Sequence, residues 1–237
     1  MPARDDPGTL DVLERFDHAA DRYESWYETR RGARAAEAQR RLLDSLLGPE
    51  AAPSRALEVG CGTGYFTEWL DTRYGSVVGL DPAPAMLREL RRRHRTFPVV
   101  RGDAHRLPFA SGAFGAVLFL TALEFLDEPD VALREAVRVA RSEVVLLWLN
   151  PWSVGAIKRK FAPGFLLSQA KRLSLRRMHT LLTRSAGKRA RGLEWGSTLF
   201  PWPLGRRVAR APLGDVLAIR LSLAPPIEDD ETLGRTR

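Results

Sequence analysis

The sequence predicts an α/β fold with a mainly parallel sheet that is covered by helices on both faces. Two observations lead to this fold class: from residue 55 onward short apolar runs alternate with amphipathic helical stretches, and the first run enters a glycine-rich turn. Because each helix returns the chain to the same end of the sheet, the strands that it connects are expected to be parallel. The runs are Ala56–Val59, Val77–Leu80, Phe97–Val100, Ala116–Leu120 and Val144–Leu149.

Helices are predicted between these runs and ahead of them. The connecting helices cover about Tyr65–Arg73, Pro84–Arg95 and Asp130–Ala140. Ahead of the first strand, apolar residues recur at steps of three and four, which is typical of one buried helix face. They are Leu13, Phe16, Ala20, Tyr23 and Tyr27. Gly32 is expected to end this helix, and a second helix follows at Ala33–Leu47.

The last third of the chain is less regular. A basic amphipathic segment covers about Leu166–Ser185 and is expected to close at Gly187. Two extended pieces follow, Gly192–Phe200 and Val208–Leu223, with a Pro/Gly-rich turn between them, so they are expected to pair as an antiparallel hairpin at the sheet edge. The final residues, 225–237, are predicted to be a disordered tail.

The composition of the chain excludes several classes of protein. The chain has 237 residues, a single cysteine and no apolar run that approaches the ~18–20 residues of a membrane-spanning helix. The first twelve residues lack the apolar core that is typical of a secretory signal, and one cysteine excludes an internal disulfide and a multi-cysteine metal site. A cytoplasmic protein without a bound metal is therefore expected.

Positive charge is concentrated in two stretches of the chain. The formal net charge is +8, and residues 144–193 contain eleven Lys or Arg and no acidic residue, while a second cluster covers residues 88–95. These stretches are either solvated helix faces or surfaces that attract nucleic acid, anionic lipid headgroups or an acidic substrate. Charge alone does not separate the two interpretations.

The glycine-rich turn, residues 60–64 within Ala56–Phe66, indicates a small-molecule site. Glycines allow positive φ and a close approach of a ligand to the main chain, and open α/β sheets bind ligands at the carboxyl ends of their strands. The nicotinamide-dinucleotide fingerprint requires a third glycine where Tyr65 stands, and a phosphate-binding Walker loop requires a lysine that is absent.

Three acidic residues follow three successive strands. Glu58 precedes the turn and suits an ammonium group, Asp81 ends the second strand and suits a ribose diol, and Asp103 follows the third and suits an adenine amino group. Any one of them alone is better explained as a helix cap or a strand-end carboxylate. In this order around the glycine turn, they predict one ligand that spans all three.

With these motifs in order, the chain resembles the class I S-adenosylmethionine-dependent methyltransferases, in particular the small-molecule branch that includes the ubiquinone and menaquinone biosynthesis enzymes. The resemblance covers about Ala56–Leu126, with the turn Leu57–Gly64, then Gly79–Pro82, Gly102–Ala104 and Phe114–Val117. It implies a Rossmann-like fold with a seven-stranded sheet and a C-terminal antiparallel edge hairpin. One departure is Gly115, where relatives often carry aspartate.

The resemblance also implies a division of the chain and a set of cofactor contacts. Residues 1–50 are expected to be helical lid, 51–224 the cofactor-binding domain, and 151–190 a basic insertion on the acceptor side. S-adenosylmethionine is the implied cofactor. The residues implied to bind it are Glu58, Gly60, Cys61, Gly62, Gly64, Asp81, Pro82, Met86, Asp103, Ala104 and Thr121.

Catalytic residues are less defined, because methyl transfer from a sulfonium needs alignment more than a catalytic group. The candidate general bases are Glu124, His105 and His179, with Tyr23 as an acceptor-side contact; a capping or solvated role is the alternative for each. Trp148, Trp152, Trp195 and Trp202 either line an acceptor pocket or fill the core.

The expected acceptor is a small molecule, aromatic, quinone-like or lipid-like, and the basic stretch adds the hypotheses that it is anionic and lies near an anionic membrane surface. Two alternatives stay open: a methyltransferase that acts on RNA or protein, with nucleic acid the less favoured partner, and a non-catalytic S-adenosylmethionine-binding module. A nicotinamide-dependent oxidoreductase is a distant third. The sequence leaves the oligomeric state open.

Overall fold

The computed structural model describes residues 7–47, 54–93, 96–156, 170–200 and 205–226. In these ranges one seven-stranded sheet has the order β3-β2-β1-β4-β5-β7-β6. The strands are β1 Ser54–Val59, β2 Gly75–Asp81, β3 Val99–Arg101, β4 Phe114–Leu120, β5 Ala140–Leu149, β6 Ala190–Thr198 and β7 Val216–Leu223. The helices are α1 Pro7–Tyr23, α2 Ser25–Glu28, α3 Arg30–Leu47, α4 Thr67–Tyr74, α5 Pro84–Arg93, α6 Pro129–Val139 and α7 Leu175–Ala186.

The predicted sheet is confirmed. Strand β1 pairs in parallel with both β2 and β4, and β3 and β5 extend the parallel sheet on either side. Strand β7 runs antiparallel to β5 and to β6, which forms the edge. The chain direction changes at β7, so the carboxyl ends of β1–β5 share one edge of the sheet.

Each face of the sheet buries its own core, because alternate residues of a strand point to opposite faces. One core joins Leu57, Val117 and Leu146 to the apolar faces of α6 and α7. The other joins Ala56 and Leu118 to leucines of α3 and to α4. Helices therefore cover both faces, as the alternating pattern predicts.

The prediction that Gly32 interrupts the N-terminal helices is wrong. The break lies at Thr29, whose hydroxyl accepts a hydrogen bond from the backbone N–H of Gly32 at 3.0 Å and so caps the start of α3. Gly32 is the third residue of α3, and a Cβ there would lie 1.9 Å from the carbonyl oxygen of Trp26. The glycine allows α2 to pack closely on α3 rather than ending a helix.

Only the first part of the predicted lid covers the site. Helix α3 packs against the sheet, with Leu42 and Leu46 in the same core as Val216 and Ala218. Helix α1 instead packs along α5. The carboxylate of Asp17 accepts the N–H of Ala85 at 2.7 Å, in the first turn of α5. The lid is thus tied to the helix that follows β2.

The basic segment and the edge hairpin are partly as predicted. Helix α7 begins later than the predicted Leu166, is capped by Ser174 and ends at Gly187. Residues 157–169 of the predicted insertion, Trp202, and 227–237 of the predicted tail lie outside the described residues. The second hairpin strand begins at Val216 rather than Val208, because Asn150 and Asp215 hold the preceding loop in hydrogen bonds. Within the described ranges, no helix is both long and apolar enough to cross a bilayer.

Candidate active site

A cavity of about 710 Å³ opens at the carboxyl ends of β1, β2 and β4. This volume lies within the roughly 300–1,000 Å³ that is typical of small-molecule sites. The strand ends form its floor, and α1 and α2 form the wall opposite. The cavity therefore lies where a parallel sheet presents the turns that follow its strands.

The glycine turn forms the side of the cavity nearest β1. The backbone N–H groups of Gly60 and Cys61 both donate to the carbonyl of Leu80, at 2.7 and 3.1 Å, which ties the turn to β2. Gly60 has φ +75°, and a Cβ there would lie 2.4 Å from the Cβ of Ala122. Both the backbone angle and the close approach of residue 122 thus require glycine at this position.

Asp81 ends β2 and is buried in the floor. Its two carboxylate oxygens accept the N–H groups of Gly62 and Ala83, each at 2.9 Å. Burial raises the pKa of Asp81 to about 6, and the two backbone donors oppose that rise. The side chain is therefore fixed in place, with lone pairs left for a hydroxyl donor in the cavity.

Glu58 lies beside it, near the end of β1. Its carboxylate accepts a hydrogen bond from the Thr67 hydroxyl at 2.5 Å, and the residue is 2% exposed. Burial raises the pKa of Glu58 to about 8, with the negative charge of Asp81 as a further cause. A cationic ligand group beside Glu58 would favour its ionised form.

Asp103 and His105 form the far end of the cavity. One carboxylate oxygen of Asp103 accepts both the backbone N–H of His105 at 2.9 Å and its ring Nδ1–H at 2.6 Å. The other ring nitrogen, Nε2, accepts the N–H of Glu128 at 3.4 Å. His105 thus positions a loop carboxylate, and its two ring nitrogens are already engaged.

Two threonines face the cavity from the turns after β1 and β4. Thr121 has φ +55°, a strained conformation for a β-branched residue. Its N–H donates to the carbonyl of Leu147 and its hydroxyl to that of Leu120, each at 2.7 Å. The hydroxyl of Thr63 is buried and has no hydrogen-bond partner among the described residues. Its position in the cavity wall was not singled out from the sequence.

Aromatic rings form the wall opposite the glycine turn. Tyr27 stacks on Tyr65 with ring centroids 3.7 Å apart and an angle of 11°. Phe16 meets Phe125 edge-on at 5.2 Å. Tyr65 and Phe125 were not predicted as acceptor-side residues, because their contacts are with helices far away in the sequence.

Tyr23 lies in the same wall, as predicted, and hydrogen-bonds to the phenol of Tyr27. Burial raises the pKa of Tyr23 to about 12, and the negative charges of Asp81, Glu124 and Glu58 add to the rise. Its phenol is protonated at neutral pH. It can donate a hydrogen bond to an acceptor but is not a general base.

Other predicted residues lie elsewhere. His179 is exposed on α7 and does not line the cavity, which contradicts its candidate role as a base. Glu124 is buried outside the lining, and its carboxylate accepts the N–H of Leu149 at 3.2 Å. Gly64 also lies outside the lining; its N–H closes the turn on the carbonyl of Cys61.

Among the described residues, the predicted tryptophans do not line the cavity. Trp148 is fully buried in the core, where its indole N–H donates to the carbonyl of Leu173 at 2.8 Å. Trp152 is 68% exposed. Trp195 packs against the edge of the core. Of the two interpretations of the tryptophans, core filling holds for Trp148 and Trp195.

The residues present fit S-adenosylmethionine. Ten of the eleven residues implied to contact it line this one cavity, all but Gly64. Their hydrogen-bond acceptors also match the ligand's donors: a buried carboxyl for the ammonium, the Asp81 carboxylate for the ribose diol and Asp103 for the adenine amino group. In the described residues no group of three or more His, Cys, Asp or Glu side chains could hold a metal.

Comparisons with known proteins find similarity to methyltransferases. Residues 57–148 match the family model of a methyltransferase domain. The malonyl-[acyl-carrier protein] O-methyltransferase of Halorhodospira halophila is 35% identical over 153 residues, which are 60% of this chain and 50% of that protein. The demethylmenaquinone methyltransferase of Renibacterium salmoninarum is 35% identical over 138 residues, 55% of this chain and 54% of that protein. The chain thus spans about half the length of these relatives.

A solved structure extends the likeness to nearly the whole chain. It is a methyltransferase from Thermotoga maritima, given as a possible histamine N-methyltransferase, with a TM-score of 0.73 and 23% identity; the match covers 89% of this chain and 99% of that one. At this identity the likeness concerns the fold. Residues 57–148 thus resemble a methyltransferase domain, and the described residues have the Rossmann-like fold of the S-adenosylmethionine-dependent methyltransferases.

Proposed function

We propose that the protein transfers a methyl group from S-adenosylmethionine to a small aromatic or quinone-like acceptor that is neutral or cationic. One observation carries this proposal: a single cavity joins the three strand-end carboxylates to a wall of aromatic side chains. The carboxylate end suits the cofactor. The aromatic end suits a flat, apolar acceptor.

The charges around the cavity favour a neutral or cationic acceptor. Among the described residues, four carboxylates line it, at Asp81, Asp103, Asp127 and Glu128, together with the buried carboxyl of Glu58, against the single guanidinium of Arg101. An anionic acceptor would meet this negative field unless Arg101 paired with it. This argument opposes the hypothesis of an anionic acceptor, which rested on the basic stretch of the sequence.

The site supports methyl transfer by aligning the acceptor with the cofactor. S-adenosylmethionine supplies an electrophilic methyl group, so the protein has to position an acceptor atom in line with it and keep water out. Tyr27 on Tyr65, and Phe16 on Phe125, provide flat surfaces that orient a ring. Tyr23 donates a hydrogen bond, so the acceptor atom must already be nucleophilic at the working pH.

The test is methyl transfer to a panel of acceptors, followed as S-adenosylhomocysteine release. We expect turnover with aromatic amines, and with hydroquinones or catechols as rising pH ionises their hydroxyls in solvent, and Phe125→Ala should raise the acceptor KM about tenfold with little change in S-adenosylhomocysteine affinity. Phe109→Ala is the matched control, since Phe109 packs on Phe114 outside the cavity lining. Cofactor binding without turnover on any member of the panel would contradict the proposal and support a non-catalytic binding module.

A carboxylate on an acyl carrier is the second candidate, favoured by the likeness to the Halorhodospira protein. Arg101, at the cavity edge, is the residue that would pair with such a carboxylate. Malonyl and succinyl thioesters in the same panel discriminate the two. If they are the acceptors, Arg101→Gln should lower kcat/KM for them by about tenfold or more.

A further inference from the structure

Two loops at the cavity end of the sheet expose apolar side chains. Trp152 is 68% exposed, Leu213 64% and Val154 48%, and they are three of the five exposed large apolar residues in the described ranges. Single exposed apolar residues are ordinary, whereas a cluster of them marks a binding surface. We refer to Trp152, Val154 and Leu213 as the Trp152 patch.

The patch is held together by Asn150. Its side-chain amide donates to the carbonyls of Pro212 and Gly214, at 3.0 and 2.8 Å, on either side of Leu213. Its side-chain oxygen accepts the N–H of Trp152 at 3.0 Å. The N–H of Gly155, next to Val154, donates to Asp215 at 2.8 Å. The two loops therefore present their apolar side chains together.

Cations lie on the patch and on the chain segments next to it in the sequence. The guanidinium of Arg172 lies 4.7 Å from the centroid of the Trp152 ring. Arg176 and Arg177 are exposed on the first turn of α7, and Arg207 and Arg210 are exposed in the loop before Leu213. Two acidic side chains on these segments are engaged: Asp127 with Lys171 and Asp215 with the N–H of Gly155. The surface is both apolar and positively charged.

The patch lies at the same edge of the sheet as the cavity. Strand β5 ends at Leu149, directly before Asn150, at the edge where the cavity opens. The ammonium of Lys171 donates to the carbonyl of Asp127, a residue of the cavity wall, at 2.7 Å. Arg172 follows it in the chain and contacts Trp152. A partner on the patch therefore lies close to the Asp127 side of the cavity wall.

We propose that the Trp152 patch and Arg172 dock the protein on an anionic lipid surface. A tryptophan is favourable at the headgroup level, where its ring is buried and its indole N–H stays hydrated, and arginines pair with lipid phosphates. Val154 and Leu213 favour lipid over nucleic acid, because aliphatic side chains gain little from a phosphate backbone but gain from the acyl boundary. The surface does not depend on the proposed methyl transfer, and its test needs no turnover.

The experiment is binding of the full chain to vesicles of phosphatidylglycerol and phosphatidylcholine, with pure phosphatidylcholine as the neutral surface. We expect binding to the anionic vesicles at 0.1 M salt, by sedimentation, with release at high salt. Arg172→Gln should weaken it about fivefold, and Trp152→Ala about tenfold. Trp26→Ala and Arg34→Gln, which change exposed residues on α2 and α3, are the matched controls.

Quenching of tryptophan fluorescence by brominated lipid gives a second measurement, and a folding defect would not produce the same result. Tryptophan emission should fall on brominated anionic vesicles in the wild type, and the quenched component should be lost in Trp152→Phe. Absence of vesicle binding, or equal losses in the control variants, would overturn the proposal. The proposal would also be overturned if the protein did not bind vesicles but bound tRNA or an acidic carrier protein, and if Arg172→Gln and Trp152→Ala weakened that binding.

Discussion

The two halves of the cavity are built in different ways. In the cofactor half, Glu58 and Asp81 project from neighbouring parallel strands that pair residue by residue, and Asp103 follows the next strand. In the acceptor half, Phe16 and Tyr27 come from the lid, and Phe125 comes from the short turn after β4. Strand register therefore positions one half, and contacts between side chains position the other.

This difference indicates which substitutions each half tolerates. A carboxylate that accepts hydrogen bonds from backbone N–H groups stabilises the loop around it and also binds the ligand. Its loss therefore affects the cofactor site directly. Rings in the acceptor half contact one another and, under the proposed function, the acceptor, so we expect that replacing them alters acceptor binding first. The predictions below test that separation, from the largest expected effect to the smallest.

Asp81→Ala should lower the affinity for S-adenosylhomocysteine about a hundredfold. The variant loses a charged acceptor for the ligand, and hydrogen bonds to charged groups contribute about 1.5–3 kcal/mol each. It also releases the N–H groups of Gly62 and Ala83. Isothermal titration measures the effect, with Asp130→Ala, an exposed carboxylate on α6, as control. Unchanged affinity would place the cofactor elsewhere.

Gly60→Ala should lower the same affinity by at least tenfold. The left-handed backbone costs a non-glycine residue about 1–2 kcal/mol, and the new Cβ meets Ala122 at 2.4 Å. In the double variant Gly60→Ala/Ala122→Gly the contact is relieved and the backbone strain remains, so recovery should be partial. Titration of the two variants side by side separates the two causes. Full recovery would show that the positive φ is unimportant.

Cofactor binding should strengthen with pH until about pH 8 and then level off. The buried Glu58 is protonated below its pKa of about 8 in the free protein, and a bound ammonium favours the ionised form, so binding releases a proton. Between pH 7 and 8 we expect a severalfold gain in affinity, and no more than about tenfold per pH unit.

Calorimetry in buffers of different ionisation enthalpy measures that proton directly. Glu58→Gln keeps an acceptor for the Thr67 hydroxyl but cannot titrate. It should bind more weakly at pH 8 and lose the pH dependence in the pH 7–8 window. A slope that persists in this variant would assign the titration to another group.

Asp17→Ala should have the smallest effect on the cofactor and a measurable one on stability. Losing a capping side chain costs about 1 kcal/mol, which for a chain of this size lowers the melting temperature by roughly 2–4 °C. Asp17 caps α5 from the lid, whereas Asp21 on the same helix is exposed. Asp21→Ala is the control, and thermal melts compare the two. A hundredfold loss of S-adenosylhomocysteine affinity in Asp17→Ala would show that the halves are not separable.

Much of the fold and of the cofactor half could be predicted from local sequence. Apolar runs, a glycine turn and a carboxylate after each strand are features of neighbouring residues, and parallel pairing brings strand ends together without further information. The acceptor half could not be predicted in the same way. His179 has a residue type suited to catalysis but lies on an exposed helix face, and Tyr65 stacks on Tyr27 through a contact between distant segments.

The amino-acid sequence by itself determined the succession of strands and helices around the glycine turn, the fold class and the positions of Glu58, Asp81 and Asp103, because hydrophobic periodicity and turn chemistry act over short stretches of chain. Only the tertiary structure decided that Gly32 lies inside a helix, that Trp152 is exposed beside Arg172, and that Phe16 and Phe125 share one wall. These depend on how separate elements pack against each other, and packing is settled by shape and burial over the whole chain rather than by any local pattern.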